Sequence, residues 1–290
     1  MQILKHSLTT LILSVLAACG GGGTALEGSI SGTATKGPVG NATLAAYSIS
    51  DGQMGARIAT AMTDANGNFT LHTGGYAGPV MLQATGGTYT DEARGVAMTM
   101  APGDVMTAVL PSVAAGAAVS GVQVTPLTAM SQALAQHMTG GMTDANIAAA
   151  NTAMGSYFSV SDILKIQPMN PLLTGSGAGA SQDARNYGMA MAAMSQYAKT
   201  LGMSISSALV TAMMNDATDG LMDGKMGAGQ ISMSLGGMMG AGAMAPTAGT
   251  SGLATAMTAF MNSAANASGL TESDMAPLIV KLTHSTGQIR

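Results

Sequence analysis

The chain has a single cysteine, no tryptophan and few aromatic or charged residues. Among its 290 residues, 3% are aromatic and 8% are charged, and the net charge is −4. One cysteine leaves no partner for an intramolecular disulfide, so packing must stabilise the fold. The small negative charge excludes a basic nucleic-acid-binding surface and an acidic tail. We therefore expect no nucleic-acid partner.

The one cysteine, Cys19, lies at the end of an apolar segment and before four glycines. Lys5, the apolar stretch 8–16 and the small residues that follow have the three-part layout of a bacterial export signal. The stretch is too short to span a bilayer. The sequence LAAC resembles the lipobox of bacterial lipoproteins, in which the cysteine is lipidated and the chain is cut before it. We expect a signal peptide over residues 1–18, lipidation of Cys19 and a Gly-rich tether over residues 19–28.

A protein acylated at this cysteine is tethered to a membrane rather than inserted through it. Two or more acyl chains hold a protein on a bilayer, whereas one chain holds it only marginally. Residue 20 is Gly rather than Asp, which by resemblance to the enterobacterial sorting rule favours the outer membrane or cell surface. The uncharged stretch 105–124 is the best candidate for a membrane span, but Pro111 and several Gly and Ser residues disfavour insertion.

Residues 29–112 have the pattern of β-strands. Short runs rich in Thr, Val, Ile and Tyr are separated by turn sequences about every eight to twelve residues. The pair Asn66-Gly67 predicts a tight hairpin, because both residues tolerate positive φ angles. We predict an antiparallel β-sandwich over residues 29–112 and a linker over residues 113–124.

Two segments of this region carry a family resemblance. GTATKGPVGNATLAAYSISDGQMG and the later ATAMTDANGNFTL resemble the carboxypeptidase-regulatory-like, transthyretin-like sandwich domains of bacterial surface lipoproteins. GPVMLQATGGTYTDEARG and VTPLTAM resemble segments that follow such a domain in uncharacterised members. The resemblance covers about residues 28–135. It implies a β-sandwich and a surface location, and it implies no catalytic residues.

From residue 125 onward the hydrophobic period becomes helical. Thr125 followed by Pro126 predicts the start of a first helix, and Ser181 predicts the start of another. We predict a Met-rich helical bundle over residues 125–290, interrupted by a mobile Gly/Met loop over residues 224–252, where glycine makes ordering costly. The whole chain is therefore expected to be a multidomain α and β protein.

The sequence lacks the common catalytic motifs. Neither G-x-S-x-G nor H-E-x-x-H occurs, and His72, His137 and His284 lie far apart in sequence. We therefore expect that the protein is not an enzyme and has no cofactor. A hydrolase whose site is assembled within the helical domain is the alternative.

Methionine is the conspicuous excess, with 27 residues. Thioether sulfur is a soft ligand for Cu(I), so Met189, Met191 and Met194, or Met238 and Met239, are candidate copper ligands. Most of these residues fall at helical spacing where Leu would otherwise pack, and no His lies close by. We therefore expect them to fill the core.

Acidic residues give a second candidate metal site. Asp216, Asp219 and Asp223 lie at intervals of three and four, and Ca²⁺ prefers several oxygen ligands. Because the D-x-D-x-D-G spacing of a calcium loop is absent, we favour a helix end with solvated acids over a calcium site. Asp91 and Glu92 are likewise expected in a solvated turn, with an ion pair to Arg94.

These expectations combine into one functional hypothesis. We predict a non-catalytic lipoprotein of the outer membrane or cell surface that serves binding, adhesion or envelope structure. Its partners would be the membrane, through the lipid anchor, and a protein or glycan. The alternative is a periplasmic copper-binding or redox-stress protein that uses its Met-rich helices.

Overall fold

The computed structural model describes residues 27–234 and 240–289. It is a mixed α and β structure with several antiparallel sheets and, within the described residues, six α-helices. The strands are β1 (Gly28–Ala34), β2 (Thr43–Ser50), β3 (Gln53–Met62), β4 (Asn68–Gly74), β5 (Gly78–Thr85), β6 (Thr88–Asp91), β7 (Val96–Thr99), β8 (Val105–Val113), β9 (Ala118–Val124), β10 (Lys225–Met226), β11 (Gly229–Gln230), β12 (Ser232–Ser234) and β13 (Ala241–Ala243). The helices are α1 (Pro126–His137), α2 (Asp144–Phe158), α3 (Gln182–Thr200), α4 (Ser207–Asp216), α5 (Ser251–Met261) and α6 (Glu272–Thr283).

Two sheets form the first part of the molecule. One has the strand order β4-β1-β9 and the other has the order β3-β2-β5-β8, while β6 and β7 form a separate hairpin. All these neighbours are antiparallel except β1 and β9, which run parallel. The pairs among β1 to β8, which cover the predicted antiparallel region 29–112, are all antiparallel, and the parallel strand β9 lies in the predicted linker 113–124. After β8 the chain crosses to the three-stranded sheet. There β9 pairs with β1 on the side opposite β4 and runs in the same direction as β1.

A shared hydrophobic core lies between the two sheets. Ile30 and Leu71 from the three-stranded sheet and Leu44 and Leu82 from the four-stranded sheet are all almost fully buried within it. Their positions follow the alternation of inward and outward side chains along a strand. The core forms because each sheet buries one apolar face against the other.

Residues 113–124, predicted as a linker, contain strand β9. Val122 and Val124 are fully buried beside β1, which explains why this segment joins the sheet. The span candidate 105–124 forms β8 and β9. Within the described residues, no helix has both the length and the apolar character needed to cross a membrane.

The tight hairpin predicted at Asn66-Gly67 is not present. Strand β3 pairs with β2, and β4 pairs with β1, so this turn connects two sheets. The Asp64 carboxylate accepts backbone N–H groups of the turn, and Gly67 takes a φ of 79° while Asn66 does not have a positive φ. The two-residue hairpin is at Asp51-Gly52, where φ angles of 52° and 72° fit a type I′ turn.

Helix α1 begins at the predicted residue and joins the helices to the four-stranded sheet. The Thr125 hydroxyl accepts the N–H of Thr128, which confirms this helix start. Helices α1 and α2 pack on β8. Ile49, Met81 and Val109 of the four-stranded sheet lie in the same hydrophobic core as the helices. One sheet is therefore covered on both faces.

The predicted Gly/Met loop 224–252 contains strands. Its described residues form β10 to β13, which pair as two short sheets, and α5 begins at its end. The Gln230 side-chain amide donates to the carbonyls of Gly224 and Met244 at 2.9 and 2.7 Å. Such hydrogen bonds offset the entropy lost when a glycine-rich segment is ordered.

Candidate functional site

The β6–β7 hairpin carries two acidic residues into the region between the sheets and the helices. Its turn closes because the Gly95 N–H donates to the Asp91 carbonyl at 2.8 Å, with Gly95 at a φ of 66°. Asp91 and Glu92 are only 0% and 1% exposed. The expectation of a solvated turn is therefore wrong, because side chains of α3 and α4 cover and bind these carboxylates. The predicted ion pair between Arg94 and Asp91 is confirmed at 3.5 Å.

Lys36, Glu92 and Ser195 form a buried polar triad. The Lys36 ammonium donates to Glu92 Oε2 at 3.2 Å and to Ser195 Oγ at 2.5 Å. The Ser195 hydroxyl donates to the same carboxylate oxygen at 2.5 Å. Lys36 Nζ also lies 5.3 Å from the centre of the Tyr89 ring. Buried charges are tolerated when they are paired and hydrogen-bonded, so the triad is an electrically neutral unit.

A second hydrogen-bond network binds the hairpin to the start of α4. The Ser206 hydroxyl donates to Asp91 Oδ2 at 2.6 Å, and the Tyr89 hydroxyl lies 3.0 Å from Ser206 Oγ. The N–H of Ser207 donates to the Tyr89 hydroxyl at 3.2 Å. The hairpin is therefore held by α3 through Glu92 and by α4 through Asp91.

A cleft of about 210 Å³ opens beside Glu92. Amide and hydroxyl side chains supply its polar lining: Thr33, Thr35, Asn66, Asn68, Gln167 and Asn170. Proline, methionine and leucine side chains supply its apolar lining: Pro38, Pro168, Met169, Pro171, Leu173 and Met191. Of the lining residues, Glu92 is the one that carries a titratable group.

One oxygen of the Glu92 carboxylate has no protein partner. Oε2 accepts hydrogen bonds from Lys36 and Ser195, whereas Oε1 is buried without a partner among the described residues. An unsatisfied buried acceptor costs about 1–3 kcal/mol. Because Glu92 is a lining residue of the cleft, this oxygen is a candidate acceptor for a bound ligand.

The three calcium candidates do not come together as a metal site. Asp216 is buried, and its Oδ1 accepts the backbone N–H groups of residues 223–225 at 2.7 to 3.2 Å. Burial raises the pKa of the Asp216 carboxyl to about 6, and these hydrogen bonds oppose that rise. The carboxylates of Asp219 and Asp223 also accept backbone N–H groups. Over the described ranges, no group of three or more His, Cys, Asp or Glu residues is placed to hold a metal.

The other candidate residues lie in the core or outside the described part of the chain. Met189, Met191 and Met194 of α3 are 0%, 2% and 0% exposed and belong to the helical core. Met238 and Met239 lie outside the described residues, as does Cys19 with the signal peptide and most of the tether.

Sequence reasoning did not single out Lys36 or Ser195. Lys36 is separated from Glu92 by 56 positions and from Ser195 by 159 positions, so no motif links the three. The available signal was a lone lysine within a neutral turn between two strands. In a chain with only 10 basic residues, such a position is conspicuous.

Comparisons with known proteins give little further information. No known protein family matches the chain, and no curated protein matches it. Among solved structures, a 9R-lipoxygenase from Cyanothece PCC8801 is similar to it with 10% identity and a TM-score of 0.22. The similarity covers 66% of this chain, and the chain spans 24% of the lipoxygenase chain.

The matched structure is that of an enzyme, which is contrary to the expectation that this protein is not an enzyme. We therefore do not retain a non-catalytic assignment. At a TM-score of 0.22 the similarity transfers neither a fold nor a lipoxygenase reaction, and we assign no reaction to the chain.

Proposed function

We propose that the protein is a lipid-anchored lipoprotein of the outer membrane or cell surface and that it binds another molecule there. The lipobox-like LAAC sequence supports lipidation at Cys19, and Gly20 supports sorting to the outer membrane. The partners we propose are the membrane, through the anchor, and a protein or glycan, through the folded part. Roles in binding, adhesion or envelope structure all agree with this arrangement.

The same proposal includes the finer architecture. We assign the three-stranded and four-stranded sheets to a transthyretin-like β-sandwich, supported by the single core between them. We assign the helices to a helical domain that packs on the outer face of the four-stranded sheet, supported by the contacts of α1 and α2 with β8. The family resemblance rests on the segments that form β1 to β4.

The observation that carries the binding function is the cleft at Glu92. A cleft with a few convergent polar groups and apolar walls is the usual form of a small-ligand site. Here the polar groups lie at the junction of sheets and helices, and Glu92 Oε1 is a buried acceptor without a partner among the described residues. This combination favours recognition of a polar ligand over a purely structural role for the junction.

The anchor is tested by replacing the lipidated cysteine. Cys19→Ala should move the protein from the membrane fraction to the soluble envelope fraction, because the acyl chains supply the membrane affinity. Cell fractionation with immunoblotting measures the distribution, and Gly22→Ala in the tether is the matched control. A Cys19→Ala protein that still sediments with membranes at high salt would overturn the anchor.

A further inference from the structure

We propose that the cleft beside Glu92 binds a neutral saccharide, with one sugar ring of a glycan as the occupant. This inference rests on the proposed binding function and names the chemical class of its ligand. Three features of the cleft carry it: its charge, its free hydrogen-bonding groups and its apolar walls.

The charge of the cleft selects a neutral ligand. Glu92 is the titratable residue of the lining, and Lys36 already neutralises it at 3.2 Å. A cationic ligand group at Oε1 would leave an unbalanced positive charge in a buried site, and an anionic group would face the carboxylate directly. Burying an unpaired charge is unfavourable in either case. The group that meets Oε1 is therefore a neutral donor, such as a hydroxyl.

Three side chains at the rim of the cleft can form hydrogen bonds with the hydroxyl groups of a sugar. Thr35, Asn66 and Gln167 line the cleft, and their side chains have no hydrogen-bond partner within the described ranges. Amide side chains both donate and accept, as sugar hydroxyls do. A ring with adjacent hydroxyls can therefore bond to the rim and to Glu92 together. An apolar ligand would leave these groups unsatisfied.

The apolar walls of the cleft can pack against the C–H face of a sugar ring. Pro168, Pro171 and Met191 line the cleft together with Leu173, which is 59% exposed. The volume of about 210 Å³ lies below the range of about 300–1,000 Å³ that is typical of drug-sized ligands. The cleft therefore has room for a single ring rather than for an extended chain, and the rest of a glycan would lie outside it.

Titration of the purified full-length protein with named sugars tests the proposal. The probes are glucose, galactose and N-acetylglucosamine, with glucosamine as the cationic counterpart and glucuronate as the anionic one. Chemical-shift changes or calorimetry would give the dissociation constants. We expect at least one neutral sugar to bind, and both charged counterparts to bind about tenfold more weakly or not at all.

Variants at the rim locate the site without disturbing the buried triad. Gln167→Ala and Asn66→Ala change exposed side chains, and each should weaken binding of the neutral sugar about threefold to tenfold. Gln53→Ala, which changes an exposed amide in β3 outside the cleft, is the matched control and should leave binding unchanged. Glu92→Gln should abolish binding, but it also removes the partner of Lys36, so the rim variants decide the result.

Three outcomes would overturn the saccharide site: no neutral sugar binds, the rim variants bind as the wild type does, or glucosamine binds more tightly than the neutral sugars. None of these outcomes changes where a Cys19→Ala protein fractionates. A failure of the saccharide site is therefore distinguishable from a failure of the proposed anchored function.

Discussion

Asp216 shows how a single buried carboxylate can organise a turn. Its Oδ1 accepts three backbone N–H groups from residues 223–225, which follow the end of α4. Its Oδ2 is buried without a partner among the described residues, and burial raises the pKa of the carboxyl to about 6. Because burial outweighs the hydrogen bonds from the turn, which favour the ionised carboxylate, protonation of this carboxyl favours the folded state.

The raised pKa of Asp216 predicts a pH-dependent stability. Between about pH 4 and pH 6 the folded protein holds a proton that the unfolded chain releases, so the free energy of unfolding should fall as the pH rises. Asp216→Asn keeps an acceptor for the N–H groups and does not titrate. The stability of the wild type relative to Asp216→Asn should fall by roughly 1–3 kcal/mol from pH 4 to pH 7, as measured by urea denaturation.

Asp64 provides a control of opposite sign. Hydrogen bonds from Asn68 lower the pKa of this exposed carboxyl, so its contribution to stability should be lost as the pH falls. Asp64→Asn should remove that loss. If Asp216→Asn and the wild type showed the same pH dependence, the account of Asp216 would be contradicted.

At the scale of elements, helix α3 is the clearest case of methionine used as packing material. Met191 and Met194 are almost fully buried, and α3 packs against α5. Methionine is unbranched and flexible, so it fills irregular space in a core that has no tryptophan and few aromatic residues. The thioether groups thus have a structural role that requires no metal.

Replacing Met191 and Met194 together by Leu tests this role. The free energy of unfolding should change by less than about 1.5 kcal/mol, because side-chain volume is conserved. Met191→Ala with Met194→Ala should cost about 2–5 kcal/mol for each cavity, as measured by thermal or urea denaturation. Copper that is bound by the wild type and lost in the Leu variant would instead support a metal site.

Elements defined by local chemistry were predictable, whereas those defined by pairing were not. Thr125 predicts the start of α1 because its hydroxyl bonds within the first turn. Asn66-Gly67 predicts a hairpin from its conformational preference, yet β3 and β4 take partners in different sheets. The strand β9 was missed for the same reason, since its partner β1 lies far away in sequence.

At the scale of the whole molecule, the Lys36–Glu92–Ser195 triad joins the two halves of the chain. Lys36 follows β1, Glu92 follows β6 and Ser195 belongs to α3, so one buried unit touches sheets and helices. Their separations along the chain explain why this part of the site was not predictable, because no sequence spacing brings them together. The triad should make the stability of the helices depend on the sheets.

A double-variant comparison tests the Lys36–Glu92 charge pair within this triad. Glu92→Gln leaves the Lys36 ammonium buried without a counter-charge and should lower the free energy of unfolding by about 3–5 kcal/mol. Adding Lys36→Met removes that charge and should restore part of the loss. Denaturation followed by circular dichroism gives both values, and equal stability of the single and double variants would contradict the interaction between these two buried charges.

The position of β1 has a mechanical consequence for a tethered protein. This strand lies between β4 and β9, and it begins at Gly28, where the proposed tether ends. A pull on the anchor would therefore run along β1 and load two rows of hydrogen bonds in shear at the same time. An edge strand pulled away sideways would instead lose its bonds one after another. If the proposed anchor is present, tension on it would therefore act on the middle strand of the sheet, which is hydrogen-bonded to β4 on one side and to β9 on the other.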